Sequence, residues 1–408
     1  MLLDSALART IRVGRLTVID AAGKRHLFEG SPGPSACVRL RDPALHWRLL
    51  LRPRLFVPEA YMAGTLTIEE GSLYDFIDVM TANDVYLPNT LPLRLAQAAA
   101  HSLRRLHQYN PVRRARRNVA HHYDLSDQLY ELFLDSDRQY SCAYFVSPSD
   151  DIETAQLNKR RHLASKLLLK PGQRVLDIGS GWGGLALYLA AECGVDVTGL
   201  TLSEEQHKVA TRRAAQAGLA DRVRFHLRDY REERGRYDRI VSVGMFEHVG
   251  VNQYPVFFRQ LDRLLMPDGV ALLHAIGRMD GPGATNPWLR KYIFPGGYSP
   301  ALSEVVPHAE RARLWLTDIE ILRLHYAETL RAWRRRFTQH RDKVRALYDE
   351  RFCRMWEMYL VGAELAFRRG GHLVFQIQMA KSVDTVPITR DYMVDWERAH
   401  AAPAGRAA

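Results

Sequence analysis

From about residue 153 the chain alternates short apolar, β-rich runs with amphipathic helical stretches, and this alternation restricts the fold more than any other feature. Residues 174–178, 195–200, 223–228, 237–243 and 270–276 read as strands, and 203–217 and 254–265 as two of the helices between them. The pattern predicts an α/β fold, a parallel sheet with helices on both faces. The first of these strands runs directly into Gly179-Ser180-Gly181-Trp182-Gly183-Gly184, and a helix over 185–191 follows. Glycine lets the backbone turn sharply and approach a ligand with no Cβ in the way. At the carboxyl end of a first parallel strand, such a loop faces the crevice where open α/β sheets bind ligands.

The remainder of the chain divides around this core. Residues 1–100 read as a small α+β unit. In it, 14–20 and 25–30 flank the turn Ala21-Ala22-Gly23-Lys24 as a hairpin, 36–40 and 65–68 are further strands, and 43–51 is helical. Ser72 opens another helix through Met80, with Asp75 placed to complete a capping box. This unit carries no cluster of catalytic residue types and reads as a lipid-binding or positioning domain. Residues 101–120 form a basic linker with Arg104, Arg105, Arg113, Arg114, Arg116 and Arg117. It is either a solvated charged segment or a contact for phosphate headgroups. The catalytic domain is expected over 121–395, with 277–307 irregular, 326–368 one long helical stretch and 372–379 a strand. A flexible tail is expected over 396–408.

Composition narrows the setting. The 408 residues carry 57 Lys+Arg against 46 Asp+Glu, a formal net charge of +11, with 47% apolar and 25% charged residues. That is ordinary for a soluble globular protein of two or three domains. No run of about 18 apolar residues predicts a transmembrane helix, and the N-terminus does not read as a signal peptide. Cys37, Cys142, Cys193 and Cys353 are widely spaced without a C-x-x-C pair, so neither a metal site nor a disulfide framework is expected, and a cytoplasmic, reducing setting fits. The basic excess suits nucleic acid, anionic lipid or an acidic substrate. No nucleic-acid reader motif accompanies it, so no nucleic-acid partner is expected.

The glycine loop discriminates among nucleotides. Its order is G-x-G-x-G-G rather than the dinucleotide G-x-G-x-x-G, and no G-K-[ST] follows for a phosphate loop. The second strand ends Thr198-Gly199-Leu200-Thr201 without an acid. Asp177 just before the loop and Asp229 ending the third strand suit a cationic sulfonium nucleoside better than a pyrophosphate. Asp177 is expected near its amino-acid part and Asp229 near its adenine. This is the layout of S-adenosylmethionine (SAM) methyltransferases.

Several separate blocks then carry a closer resemblance. They are His122-Tyr123-Asp124-Leu125-Ser126, Tyr140-Ser141-Cys142-Ala143-Tyr144-Phe145, residues 175–184 and Gly199-Leu200-Thr201-Leu202-Ser203. They continue in order with Gly244-Met245-Phe246-Glu247-His248-Val249-Gly250, Leu272-Leu273-His274-Ala275-Ile276-Gly277 and His325-Tyr326-Ala327-Glu328-Thr329-Leu330. Across about residues 110–395 the chain resembles the cyclopropane fatty acid synthases, including the mycolic acid cyclopropane synthases. The first hundred residues are similar to the extra domain of the bacterial phospholipid-acting members. Ser180 departs from the family, which commonly has Cys there.

The resemblance implies a seven-stranded, Rossmann-like SAM methyltransferase sheet and an enzyme that adds a methylene from SAM across a cis double bond of a phospholipid acyl chain. It also implies a bound bicarbonate as base and peripheral contact with the inner face of a membrane, and it leaves a homodimer open. Glu247 is expected to accept the bicarbonate hydroxyl proton, His274 and Tyr326 to bind its oxygens, and Cys142 and Ile276 to contribute backbone groups. Tyr140, Ser141, Gly179, Gly181, Thr201, Leu202, Gln206 and Tyr230 are expected to line SAM together with Asp177 and Asp229. Such chemistry needs a dry, aligned site, since the alkene is a poor nucleophile and water would intercept the carbocation.

Plainer readings stand beside these. Glu247 and His248 would also suit a helix start, His274 a satisfied core position, Tyr326 a packed aromatic and Cys142 a small buried side chain. Gln206 fits both a ribose contact and the S-x-x-Q capping box opened by Ser203. A second basic stretch (Arg331, Arg334, Arg335, Arg336, Arg341, Lys343 and Arg345) is either a solvated helix or a headgroup contact. Two other functions remain open on sequence alone: a SAM methyltransferase making methyl- or methylene-branched chains, and a non-catalytic sensor of SAM and lipid.

Overall fold

The computed structural model describes residues 2–84, Gln108 and 125–401. Most of the basic linker, and His122, Tyr123 and Asp124 of the block that begins there, lie outside the described residues. Two compact units emerge. One gathers Met1–Arg104, Ala284–Pro295 and Ala327–His372; the other gathers Arg105–Gly283, Gly296–Tyr326 and Leu373–Ala408.

The first unit is built on four strands, β1 (Val13–Ile19), β2 (Arg25–Glu29), β3 (Ser31–Leu40) and β4 (Leu66–Glu70), in the order β2-β1-β3-β4. β1 and β2 form the expected antiparallel hairpin. Asp20 closes its turn by accepting the amides of Ala22 and Lys24, both at 2.9 Å. The helix Leu73–Ala82 starts with the capping box read from the sequence: Ser72 accepts the Asp75 amide, and Asp75 accepts that of Ser72. At its other end Asn83 takes the amides of Arg12 and Val13 and donates to the Val13 carbonyl, which pins the helix to the start of β1.

The long helical stretch is not continuous. It comprises helices His325–Gln339, Arg341–Leu347 and Glu350–Arg368, the last capped by Asp349. From Ala327 onward these helices belong to the first unit, whereas the sequence placed them in the catalytic domain. The cause is side-chain pairing: Arg369 holds Asp78, and the Tyr61 hydroxyl donates to Glu357 at 2.9 Å.

The second unit is a seven-stranded sheet of β5 (Arg174–Ile178), β6 (Asp196–Thr201), β7 (Val223–Leu227), β8 (Tyr237–Val243), β9 (Leu265–Arg278), β10 (Trp315–Ile321) and β11 (His372–Ala380). Their order is β10-β11-β9-β8-β5-β6-β7. β5 to β9 are parallel to their neighbours in that run, and β10 is antiparallel to β11. Alternate strand residues feed two cores. Val175, Val241 and Leu272 pack in one; Leu176, Ile240 and Leu273 pack in the other. The chain leaves β5 toward β6 and β7, then returns to β8 on the other side. That reversal opens a crevice at the carboxyl ends of β5 and β8.

The structure departs from the sequence reading in three further places. The 277–307 stretch contains helices Pro287–Tyr292 and Leu302–Arg311. β10 went unread because it is a half-exposed edge strand broken by Asp318 and Glu320. Residues 396–399 are not a loose tail but end the helix Asp391–Ala399. Its Glu397 and Glu320 of β10 bond opposite nitrogens of His162 at 2.5 and 2.7 Å. Burial opposes charge on His162, but the two carboxylates outweigh it and raise its pKa. Among the described residues no helix is long and apolar enough to cross a membrane.

Candidate active site

The glycine loop does what its position suggests. Gly179, Gly181 and Gly183 all adopt positive φ (86°, 55° and 85°). A Cβ on Gly179 would lie 2.7 Å from that of Met245, so the close approach of the loop to the segment after β8 requires glycine there. The loop borders one crevice, and all ten residues expected to line a cofactor border it too: Tyr140, Ser141, Asp177, Gly179, Gly181, Thr201, Leu202, Gln206, Asp229 and Tyr230. Sequence reasoning missed other lining residues, among them Gln139, Trp182, Arg231, Met245 and His248.

The walls are differently charged. Asp177 is buried, and its Oδ2 has no hydrogen-bond partner among the described residues. Burial pushes its pKa up to about 7, against the opposing charge of Lys159. Asp229 is instead gripped by the Arg231 guanidinium, Nε to Oδ1 at 2.8 Å and Nη2 to Oδ2 at 2.7 Å. It therefore reaches the crevice as a neutralised pair. Gln206 serves the helix cap: its backbone N–H donates to Ser203 Oγ, while its side-chain oxygen accepts from Thr201 Oγ1 at 3.0 Å. The reciprocal half of a capping box is not made, and the side chain stays at the crevice wall. Ser180 turns its hydroxyl onto the Leu200 carbonyl at 3.3 Å, which ties the loop to β6.

The residues expected to carry chemistry do not line this crevice. Glu247, in the short 3₁₀ turn Phe246–His248 after β8, accepts the Ile276 amide at 2.6 Å. Its other oxygen has no hydrogen-bond partner among the described residues, and burial raises the Glu247 pKa to about 7. His274 sits two residues before Ile276 on β9, opposite Val243. Gln376 donates to its Nδ1 at 3.1 Å, so the neutral ring carries its proton on Nε2. Burial holds the His274 pKa well below 6.5, with Lys159 and Lys166 adding to the effect. Cys142 is buried immediately after Ser141 of the crevice wall. Tyr326 is buried at the start of its helix, next to His325, whose Nδ1 accepts the Phe145 amide at 3.0 Å. Glu247, Ile276 and His274 are thus joined through β8 and β9; Cys142 and Tyr326 are held by segments linked through Phe145 and His325.

Behind both groups lies a helix that sequence reasoning did not single out. Ile152–Leu167 buries Gln156, Lys159, His162 and Lys166 along one face. Gln156 donates to the carbonyls of Gln139 and Ser141, and Lys159 to Ser141 Oγ at 2.9 Å. A polar face at helical spacing ordinarily signals solvent. Only the residues facing it show that this one is internal.

A seven-stranded sheet with a glycine loop after its first strand and a crevice at its switch point defines a SAM-dependent methyltransferase fold. A family model described as mycolic acid cyclopropane synthetase matches residues 111–377. The chain is 38% identical over 349 residues to the cyclopropane-fatty-acyl-phospholipid synthase of Escherichia coli K12, spanning 86% of this chain and 89% of that one. A cyclopropane synthase of Mycobacterium tuberculosis superposes with a TM-score of 0.63 at 34% identity, covering 67% of this chain and 99% of that one. A mycolic acid cyclopropane synthase solved in complex with SAH and CTAB does so equally, with 34% identity, a TM-score of 0.63 and coverage of 67% and 100%. The chain belongs to the mycolic acid cyclopropane synthetase family.

Proposed function

We propose that this enzyme transfers a methylene from SAM across the cis double bond of an unsaturated phospholipid acyl chain, with bicarbonate as general base. The observation that carries the reading is Glu247: a buried carboxylate with one oxygen fixed by the Ile276 amide and the other without a partner among the described residues, joined through β9 to a neutral His274. A buried carboxylate needs a hydrogen-bond donor on each oxygen, and the hydroxyl of bicarbonate fits that need.

SAM would supply an electrophilic methyl group, and bicarbonate a base weak enough to survive beside it. The chain's own residues do the rest. Asp177, Ser141, Gly179 and Gly181 would hold the amino-acid end of SAM, and Thr201, Leu202 and Gln206 its ribose. Tyr230 and Asp229, with Tyr140 on the wall, would complete the enclosure. Glu247 would accept the bicarbonate hydroxyl proton, and the Nε2–H of His274 and the Tyr326 hydroxyl would donate to its oxygens. The backbones of Cys142 and Ile276 would border it. Burial of Glu247 and His274 excludes the water that would intercept a carbocation.

The reading includes peripheral contact with the inner face of a membrane through the unit containing β1–β4. On the helix Leu45–Leu51, Trp47 and Leu51 are 61% and 73% exposed one turn apart, with Arg52 exposed beside them and Arg48 and Arg54 exposed but lying against Asp42 and Asp84. An amphipathic aromatic with flanking arginines suits an anionic lipid surface. The second basic stretch suits it less. Arg334 is tied to Glu364, Arg341 to Glu350, Arg331 to Glu328 and Arg345 to Asp342.

The test uses SAM with a trideuterated methyl group and vesicles of cis-monounsaturated phospholipid. Released acyl chains are read by gas chromatography and mass spectrometry. A ring-containing product with two deuteriums is expected. Three retained deuteriums would replace cyclopropanation with methyl branching. No labelled lipid despite SAM binding would overturn the enzymatic reading in favour of a sensor.

A further inference from the structure

Lys159 is 1% exposed, and among the described residues it forms no salt bridge. An ammonium in that position loses several kcal/mol of hydration, so its retention asks for a purpose. Its Nζ donates to two neutral acceptors, Ser141 Oγ at 2.9 Å and Gln139 Oε1. Both acceptors belong to residues on the crevice wall. One helical turn earlier, Gln156 holds the same segment by its backbone, donating to the carbonyls of Gln139 at 3.2 Å and Ser141 at 3.0 Å. The wall is thus fixed by Gln156 and charged by Lys159.

A serine oxygen that accepts from an ammonium keeps its own O–H to donate elsewhere. Polarised from behind by a cation, that O–H suits an anionic acceptor. On the same crevice, Asp177 presents a carboxylate oxygen with no hydrogen-bond partner among the described residues. The two features are complementary to the two ends of one zwitterion: a donor backed by positive charge for a carboxylate, and a carboxylate for an ammonium.

We propose that Lys159 is a positioning residue that acts through Ser141 to select the carboxylate of the cofactor's amino-acid end. The inference rests on the reading that the crevice binds an adenosyl sulfonium cofactor or its thioether product. Lys159 touches no ligand. It orients and polarises the group that does, and Asp177 supplies the opposite charge.

The test measures equilibrium binding by calorimetry for two probes: S-adenosylhomocysteine, and its analogue in which the α-carboxylate is replaced by hydrogen. The parent is expected to favour the carboxylated probe by about tenfold or more, as for one charge-assisted hydrogen bond. Lys159→Met, which keeps the chain length, is expected to weaken the carboxylated probe about tenfold and the decarboxylated probe less than twofold. Ser141→Ala should do the same, and adding Lys159→Met to it should add little. In turnover, Lys159→Met should raise KM for SAM about tenfold and change kcat at saturation less than threefold.

Equal weakening of both probes would reduce Lys159 to a structural role and overturn the inference. So would full additivity of the two substitutions. If Lys159→Met does not fold, Ser141→Ala decides: unchanged preference for the carboxylated probe refutes the proposal. If the parent binds neither probe, the cofactor reading itself fails, an outcome distinct from loss of discrimination.

Discussion

Replacing Glu247 by Gln should sharply lower activity and stabilise the protein at alkaline pH, two effects with one cause. The substitution is isosteric, and the amide oxygen still accepts the Ile276 N–H that the carboxylate accepts at 2.6 Å. What disappears is a charge held out of water. Burial raises the Glu247 pKa from 4.5 to about 7. Below 4.5 the carboxyl is neutral in both folded and unfolded chains and contributes nothing to pH dependence. Between 4.5 and about 7 the unfolded chain ionises first and binds fewer protons, so stability falls as pH rises. Above about 7 the full penalty is present, about 3 kcal/mol at roughly 1.4 kcal/mol per pKa unit. Gln carries no such penalty. At pH 8 the variant should therefore be about 3 kcal/mol more stable than the parent, and at pH 5 about 1 kcal/mol. In thermal unfolding this is a rise of about 5 °C or more at pH 8 and little change at pH 5. On the proposed reading turnover should fall about 100-fold or more, about 3 kcal/mol in the barrier, because the side-chain NH2 would not accept the proton of a bound bicarbonate. Paired pH-series melts and the deuterium assay check both. A variant with parental turnover, or one no more stable at pH 8 than the parent, would refute the reasoning.

Gly179→Ala forces a side chain into φ +86° with its Cβ 2.7 Å from that of Met245. It should cost about 1–2 kcal/mol of stability and weaken SAM binding at least about tenfold, measured by denaturant titration and calorimetry. Glu397→Ala removes one of the two carboxylates on His162 and should lower unfolding free energy by about 1–2 kcal/mol at pH 6. The His162 pKa is raised, so this contribution is complete below 6.5 and fades as pH rises through the folded value; a melt at pH 9 should show a smaller deficit. Trp47→Ala with Leu51→Ala should lower binding to anionic vesicles about tenfold or more in sedimentation assays, with SAM binding unchanged. Unaltered vesicle binding would remove this helix from the membrane reading.

Much of the crevice was legible because its signals are local. A glycine run between a β-rich strand and a helix encodes a turn that other residues cannot make, and Asp177 adjoins it in sequence. The hairpin around Gly23 and the Ser72–Asp75 cap were legible for the same reason. Strand β10 was not, because an edge strand carrying Asp318 and Glu320 lacks the near-continuous apolar run of its neighbours. Glu320 is there to meet His162 and Lys166, which lie more than 150 positions away in the chain.

Sequence alone therefore determined what depends on neighbours in the chain: the class of sheet, the loop that turns at its switch point, and the residue types at the crevice. Tertiary structure decided what depends on distant partners. It set helices from Ala327 onward with the first unit, and it closed His162 between Glu320 and Glu397. It also turned the polar face of Ile152–Leu167 inward, placing Lys159 behind Ser141. The physical reason is that a backbone turn is fixed by the residues making it, whereas the charge and burial of a side chain are properties of everything packed around it.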